Sequence, residues 1–253
     1  AEIQSTQQTT SREIQTRGGR VLVVTFAPAA EGGVLMSTED ATERKATEAR
    51  IEQMARFDEL TGLANRFEYN RNIADSFGRM ERTGEAFALL YVDLDGFKQV
   101  NDNLGHDIGD RVLTETGNRL RAAIRGSDLL ARFGGDEFLL ILPGANHAIV
   151  TVIAQRMIDA MSKAFILDNK TVYVTASIGI AMAPSDGATP ADLLRHADTA
   201  LYKAKAAGRN TLMFFNPAMA EEMLERHEIE VDLRKACESG SLELYYQPII
   251  DLR

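Results

Sequence analysis

The chain has 253 residues, 45% of them hydrophobic, and a formal net charge of -9, with 28 Lys and Arg against 37 Asp and Glu. Such a length holds one domain of common size plus fragments or a small second unit, and the apolar share supports real cores. The acidic balance argues against an extended nucleic-acid footprint, no apolar run reaches the roughly 18 residues of a membrane-spanning helix, and the single cysteine, Cys237, excludes a disulfide framework and fits a reducing, cytoplasmic setting.

Residues 1–16 are polar, rich in Gln and Thr, and carry no charged-then-apolar leader pattern. Because residue 1 is Ala and not Met, the sequence reads as a segment of something longer. Two strand-like runs follow at 21–26 and 34–38, separated by a turn bearing Pro and Gly. Two strands cannot bury a core, so they predict either a hairpin docked elsewhere or the end of a truncated domain. A helix is predicted over 42–57, with Asp40 as N-cap and Glu43 as its reciprocal partner. Its thin apolar stripe, Ala46, Ile51, Met54 and Ala55, suits a solvated connector or a two-stranded coiled coil.

Next come a helix over 67–80, a strand over 87–92 that ends at Asp93, and two helical segments carrying Asp95, Lys98, Asn101, Asp102 and Asp110, the second convincing over 107–124. Apolar runs at 129–133 and 138–142 flank Gly134-Gly135, which predicts a hairpin. A helix over 147–161, a long strand over 172–182 and a helix over 190–206 opening at Thr189 or Pro190 complete the globular part. Asn216-Pro217 ends it, and a charged amphipathic helix over 219–237 leads to a strand-like run at 242–250. Strands separated by helices, with one tight hairpin between them, predict an α/β domain: an antiparallel-centred sheet flanked by helices, ferredoxin-like or palm-like.

The chemistry gathers at the hairpin tip. Asp136 and Glu137 follow the glycines directly, and if the 88–92 strand pairs beside the hairpin, Asp93 meets Asp136 at the sheet edge. Like charges in one cleft raise each other's pKa, so a cation is the economical partner, and an all-oxygen set suits Mg²⁺ in the company of phosphates. Lys203, Lys205 and Arg209, on a helix end and the turn after it, suit a polyphosphate. The four histidines are too scattered for a zinc site.

Five ordered blocks carry a family resemblance: DELTGLANR (58–66), DLDGFKQVND (93–102), GHDIGD (105–110), GGDEF (134–138) and ALYKAKAAGRN (200–210). Together they resemble the GGDEF family of diguanylate cyclases over residues 58–215. The resemblance implies a nucleotide cyclase fold that condenses two GTP into cyclic di-GMP with release of pyrophosphate, using Mg²⁺ or Mn²⁺, at the interface of a homodimer. It implies Asp93, Asp136 and the Leu94 carbonyl as metal ligands, with Glu137 holding a second ion or taking the proton of the attacking hydroxyl. Asn101 and Asp110 match the family's guanine pair; adenine, which lacks the N2 amine, would leave Asp110 unpaired. Lys98, Lys205 and Arg209 resemble its β- and γ-phosphate contacts, and Lys203 reads as a face residue. Arg125 and Asp128, spaced as RxxD, stand where the family carries its product-inhibition site, and are expected across the 129–133 strand from the catalytic groove. The alternative is a salt bridge between the two side chains.

The flanks resemble other modules. Residues 1–40, with DATERK at 40–45, are similar to the end of a PAS sensor domain, which makes 41–57 a signalling helix. Residues 216–253, with Tyr246-Gln247-Pro248, are similar to a linker helix and the opening of an EAL phosphodiesterase domain. A second functional class therefore stands beside the enzyme: a catalytically weak domain that binds GTP or cyclic di-GMP and controls a neighbouring EAL domain.

Overall fold

The computed structural model describes residues 9–29, 33–243 and 245. The chain divides into two compact units, Ala1–Glu59 and Leu60–Arg253.

In the first unit, strands β1 (Thr10–Gln15), β2 (Val21–Pro28) and β3 (Val34–Asp40) form an antiparallel sheet in that order, followed by helix α1 (Thr42–Arg56). β1 is missing from the sequence reading because TSREIQ is exposed at every position and has no apolar period; backbone pairing with the apolar β2 makes it a strand. The α1 N-cap is Ala41, one residue after the predicted Asp40. Asp40 still helps to start the helix, since its Oδ1 accepts from Thr42 N at 3.1 Å and from Thr42 Oγ1 at 2.5 Å. Ile51 and Met54 of the thin stripe are both exposed.

The second unit opens with helix α2 (Arg66–Thr83), then runs β4 (Phe87–Asp95), α3 (Phe97–Leu104), α4 (His106–Ala122), β5 (Leu129–Gly134), β6 (Glu137–Pro143) and α5 (His147–Met161). It continues with β7 (Phe165–Leu167), β8 (Lys170–Val172), β9 (Thr175–Ala183), α6 (Pro190–Ala206), β10 (Leu212–Phe214) and α7 (Pro217–Ser239). The sheet order is β10-β9-β4-β6-β5. β4 pairs antiparallel with β6 and β9, β5 pairs antiparallel with β6, and β10 lies parallel to β9. Without β10 this is the βαββαβ order of a ferredoxin-like sheet, as predicted.

β4 sits at the centre and is buried on both faces, which explains its unbroken apolar run. Leu90, Val92 and Leu94 face a core shared with Val100, Val112 and Ile153, while Leu89 and Tyr91 face a second one with Tyr69, Ile73, Leu193 and Ala197. The sheet edge at β5 is covered by the segment before α2: Ala64 bridges Ala131 in parallel, its carbonyl accepting from Arg132 N at 2.8 Å. Asn65 then caps α2 by accepting from Glu68 N at 3.0 Å. Arg119 staples α4 to the end of α5, donating to the carbonyls of Ala160, Lys163 and Ala164 at 3.1, 2.6 and 2.8 Å, with its guanidinium 3.8 Å from the Phe165 ring centroid.

Sequence expectations need correction at several points. Asp95, expected in the helical segments, is the last residue of β4. The strand predicted over 172–182 starts at Thr175, and Val172 instead ends the small β7–β8 hairpin, whose three-residue strands are too short to show a period. β10 escaped notice for the same reason. The hairpin turn lies one residue later than Gly134-Gly135: Gly134 pairs with Glu137, so Gly135, at φ +52°, and Asp136 are the loop residues. The predicted run at 242–250, with its EAL-like Tyr246-Gln247-Pro248, falls largely outside the described residues. Among the described residues no helix is long and apolar enough to cross a membrane.

Candidate functional site

Asp93 lies near the C-terminal end of β4, directly across from Glu137 on β6 and Ser177 on β9. The next residue, Leu94, donates its N–H to the Asp136 carbonyl at 3.4 Å. The three acids therefore converge at one end of the sheet, with Glu137 the cross-strand partner of Asp93 and Asp136 on the turn beside it. The turn is held from β5 by Arg132, whose Nε and Nη2 donate to the Gly135 carbonyl at 3.0 and 2.8 Å.

The last turn of α6 brings Lys205 Nζ to 2.8 Å from Asp93 Oδ2. Asp93 nonetheless titrates above the usual carboxylate range: burial raises its pKa, Asp136 and Glu137 add to the rise, and Lys205 offsets only part of it. Tyr91, two residues back on the same face of β4, hydrogen-bonds Glu137; burial, then the Glu137 charge, pushes its phenol far above the ordinary range. Asp198 on α6 is raised by burial and lowered by Lys205. This crowding of acids, all oxygen donors, fits a hard divalent cation. As placed, no three His, Cys, Asp or Glu side chains among the described residues are grouped to hold a metal, and Lys205 is the cation beside Asp93.

Immediately after β4, Gly96 takes φ +77° and α3 begins. Lys98 is exposed and stands one turn before Asn101 on the same helix face. The Asn101 Oδ1 is buried and has no hydrogen-bond partner among the described residues. It lies against α4 where a Cβ on residue 109 would be, 1.8 Å from that position, so Gly109 lets Asn101 approach the helix that carries the exposed Asp110. Arg209 is exposed in the turn after α6, at φ +64°. Lys203 pairs with Glu222 of α7, in keeping with a face residue.

The Arg125 and Asp128 side chains form no salt bridge with each other. Asp128 Oδ2 accepts from the Arg125 backbone N–H at 2.8 Å and Asp128 N–H donates to the Arg125 carbonyl at 3.1 Å, so the carboxylate locks a turn. The Arg125 guanidinium is exposed, with no ion pair among the described residues. The pair lies just before the N-terminal end of β5, at the opposite end of that strand from the hairpin turn. The strand puts roughly 20 Å between the pair and the hairpin turn.

Sequence reading counted Asp95 in the acidic patch without a role, and missed Gly109, Tyr91 and Asp198. Gly109 alone left a signal, a glycine inside a helical pattern, which marks close approach.

With this geometry in hand, the family described as Diguanylate cyclase, GGDEF domain, matches residues 55–211. The chain belongs to the GGDEF family. NbdA of Pseudomonas aeruginosa, a cyclic di-GMP phosphodiesterase, is 38% identical over 204 residues, 81% of this chain and 26% of its own. MucR of the same organism, a bifunctional diguanylate cyclase and cyclic di-GMP phosphodiesterase, is 38% identical over 208 residues, 82% of this chain and 30% of its own. The solved GGDEF domain of TpbB (YfiN), also from Pseudomonas aeruginosa, matches with a TM-score of 0.64 at 37% identity, covering 66% of this chain and 99% of that one. This GGDEF chain spans about a quarter to a third of the length of the curated relatives it matches, 26%, 27% and 30% for three of them.

Proposed function

We propose that the GGDEF domain of this chain is a diguanylate cyclase, joining two GTP into cyclic di-GMP with release of pyrophosphate. The observation that carries this reading is the convergence of Asp93, Asp136 and Glu137 with Lys205 at one end of the sheet. Asp93, Asp136 and the Leu94 carbonyl would hold Mg²⁺ or Mn²⁺, whose charge, once bound, offsets that of the phosphates. Lys98, Lys205 and Arg209 hold the β- and γ-phosphates, and Asn101 with Asp110 reads the guanine edge.

In each step the 3′-oxygen of one nucleotide attacks the α-phosphorus of the other, and the bond to pyrophosphate breaks in line. Glu137, steadied by the Tyr91 hydroxyl, is placed to take the 3′-hydroxyl proton or to hold a second ion. One site binds one GTP, so two domains must face each other, and the α1 helix is the segment that would couple them. Arg125, with the turn fixed by Asp128, is proposed to bind the product and inhibit. The flanks are proposed as the end of a PAS-like sensor (1–40), a signalling helix (41–57) and a linker into an EAL domain (216–253), around a catalytic domain at 58–215 in a cytoplasmic protein.

The test is formation of cyclic di-GMP from GTP and Mg²⁺ by the purified chain. Asp136→Asn and Glu137→Gln are expected to fold normally and to lose turnover by about 10²-fold or more. Wild-type turnover in either variant would sink the site. The phosphodiesterase name of NbdA favours one other reading, a GTP- or cyclic-di-GMP-binding regulator of a neighbouring EAL domain. That reading expects GTP binding without product.

A further inference from the structure

Asp95 ends β4 two residues beyond Asp93, on the same side of the sheet by strand alternation. Its carboxylate accepts three hydrogen bonds. Ser177 Oγ donates to Oδ1 at 2.8 Å, Thr175 Oγ1 to Oδ2 at 2.8 Å, and the backbone N–H of Asn210 to Oδ2 at 3.1 Å. The first two donors lie on the neighbouring strand β9 and Ser177 is fully buried, so the carboxylate is anchored to the core of the sheet.

The third donor belongs to the turn that leaves α6. Gly208, Arg209 and Asn210 take φ of +115°, +64° and +46° in succession, and the last two carry a Cβ that left-handed backbone disfavours. Such a conformation persists where its surroundings over-determine it. Here the Asn210 N–H is held by Asp95, and its Oδ1 lies 3.1 Å from Ser162 Oγ, a hydroxyl that shares its one proton with the Ile158 carbonyl at 2.9 Å. On either side, Arg209 N–H donates to the Ala204 carbonyl at 3.2 Å and the Thr211 carbonyl accepts from Ile178 N–H at 2.9 Å.

This turn carries Arg209 and follows directly on Lys205, which reaches Asp93 from the last turn of α6. Arg209 projects into solvent, so its pinned backbone sets where the side chain starts. An arginine whose backbone is already ordered loses less freedom when it meets a phosphate.

We propose that Asp95 is a positioning residue, a strap that ties the exit of α6 to the end of β4 and sets Lys205 and Arg209 over the polyphosphate of GTP. The role of those two cations rests on the cyclase reading; the strap itself does not. Because both cations would grip the phosphates in the ground state and the transition state alike, loosening the strap should raise KM and spare kcat.

The experiment compares wild type with Asp95→Ala, and with the triple variant Asp95→Ala, Thr175→Val, Ser177→Ala. The triple variant removes the two hydroxyl donors together with their acceptor, so nothing in the sheet is left unpaired and the fold is spared. Amide hydrogen exchange of Asn210, without nucleotide, reads the strap; KM and kcat for GTP, with GTP affinity by calorimetry, read its consequence. In both variants the Asn210 amide should lose its protection, KM and the GTP dissociation constant should rise about tenfold, and kcat should change by less than about threefold. Unchanged protection, an unchanged KM, or recovery of normal KM in the triple variant would overturn the proposal. If the wild type binds GTP but forms no cyclic di-GMP, the cyclase reading fails by itself, while exchange and GTP affinity still decide the strap.

Discussion

Replacing Asp93 with Asn is expected to abolish cyclisation and, without nucleotide or divalent ions, to make the domain more resistant to heat. The Asp93 side chain is only 13% exposed, and burial raises its pKa against the attraction of Lys205, with Asp136 and Glu137 pushing the same way. The ion pair and the net shift point in opposite directions, and burial wins because Lys205, 35% exposed, shares its charge with solvent. A carboxyl whose folded pKa lies above its unfolded one destabilises the fold at neutral pH, by about 1.4 kcal/mol for each unit of elevation. Removing the charge recovers that cost, in which the attraction of Lys205 is already included. The variant should therefore melt above wild type at neutral pH.

The pH dependence follows the same sign. As pH falls through the raised folded pKa, the folded wild type takes up a proton before the unfolded chain does and gains stability. Below the ordinary carboxyl value of 3.8 both states are protonated. The advantage of Asp93→Asn should therefore be largest near neutral pH and close on acidification, while carboxyls remote from Asp93 cancel in the difference. Calorimetric melting of both proteins in chelator, from about pH 7.5 to about pH 4, measures it. A variant that melts below wild type at neutral pH, or a gap that widens with acid, would refute the reasoning and make the Lys205 pair a net stabiliser.

Three further outcomes are expected. Gly109→Ala would place a Cβ 1.8 Å from Asn101 Oδ1, so the amide must move; KM for GTP should rise about tenfold or more with the melting point little changed, and a normal KM would detach Asn101 from guanine recognition. Arg119→Met removes the guanidinium that lies over Phe165 and donates to three carbonyls at and just after the end of α5, for a loss of about 2–4 kcal/mol in denaturant melts; a change within about 0.5 kcal/mol would show that water replaces it. Arg125→Ala should weaken cyclic di-GMP binding by about 1.5–3 kcal/mol in calorimetry and spare initial turnover, because the Asp128 turn uses the residue 125 backbone; unchanged affinity would leave both residues as scaffold.

Where local chemistry decides, the amino-acid sequence by itself determined the outcome. The bounds of α5 and α6 are readable because Asn146 accepts from Ile149 N–H at 3.0 Å and Thr189 from Asp192 N–H at 3.1 Å, with Pro190 opening the second helix. The apolar run before Asp93 and the paired acids after the glycines likewise pointed to one sheet end, because strand period and turn residues act over a few positions. Partners far apart in the chain were settled only by the tertiary structure. It places Glu137, and not Asp136, across from Asp93, because that register is set where β4 pairs with β6, a strand far away in the chain. It also sets Lys205 on Asp93 and Asn210 on Asp95, from 112 and 115 positions away, and lays the polar TSREIQ alongside β2 as a strand. Each of these contacts depends on how the sheet closes on α6 or on its neighbour, and no local pattern of side chains encodes that closure.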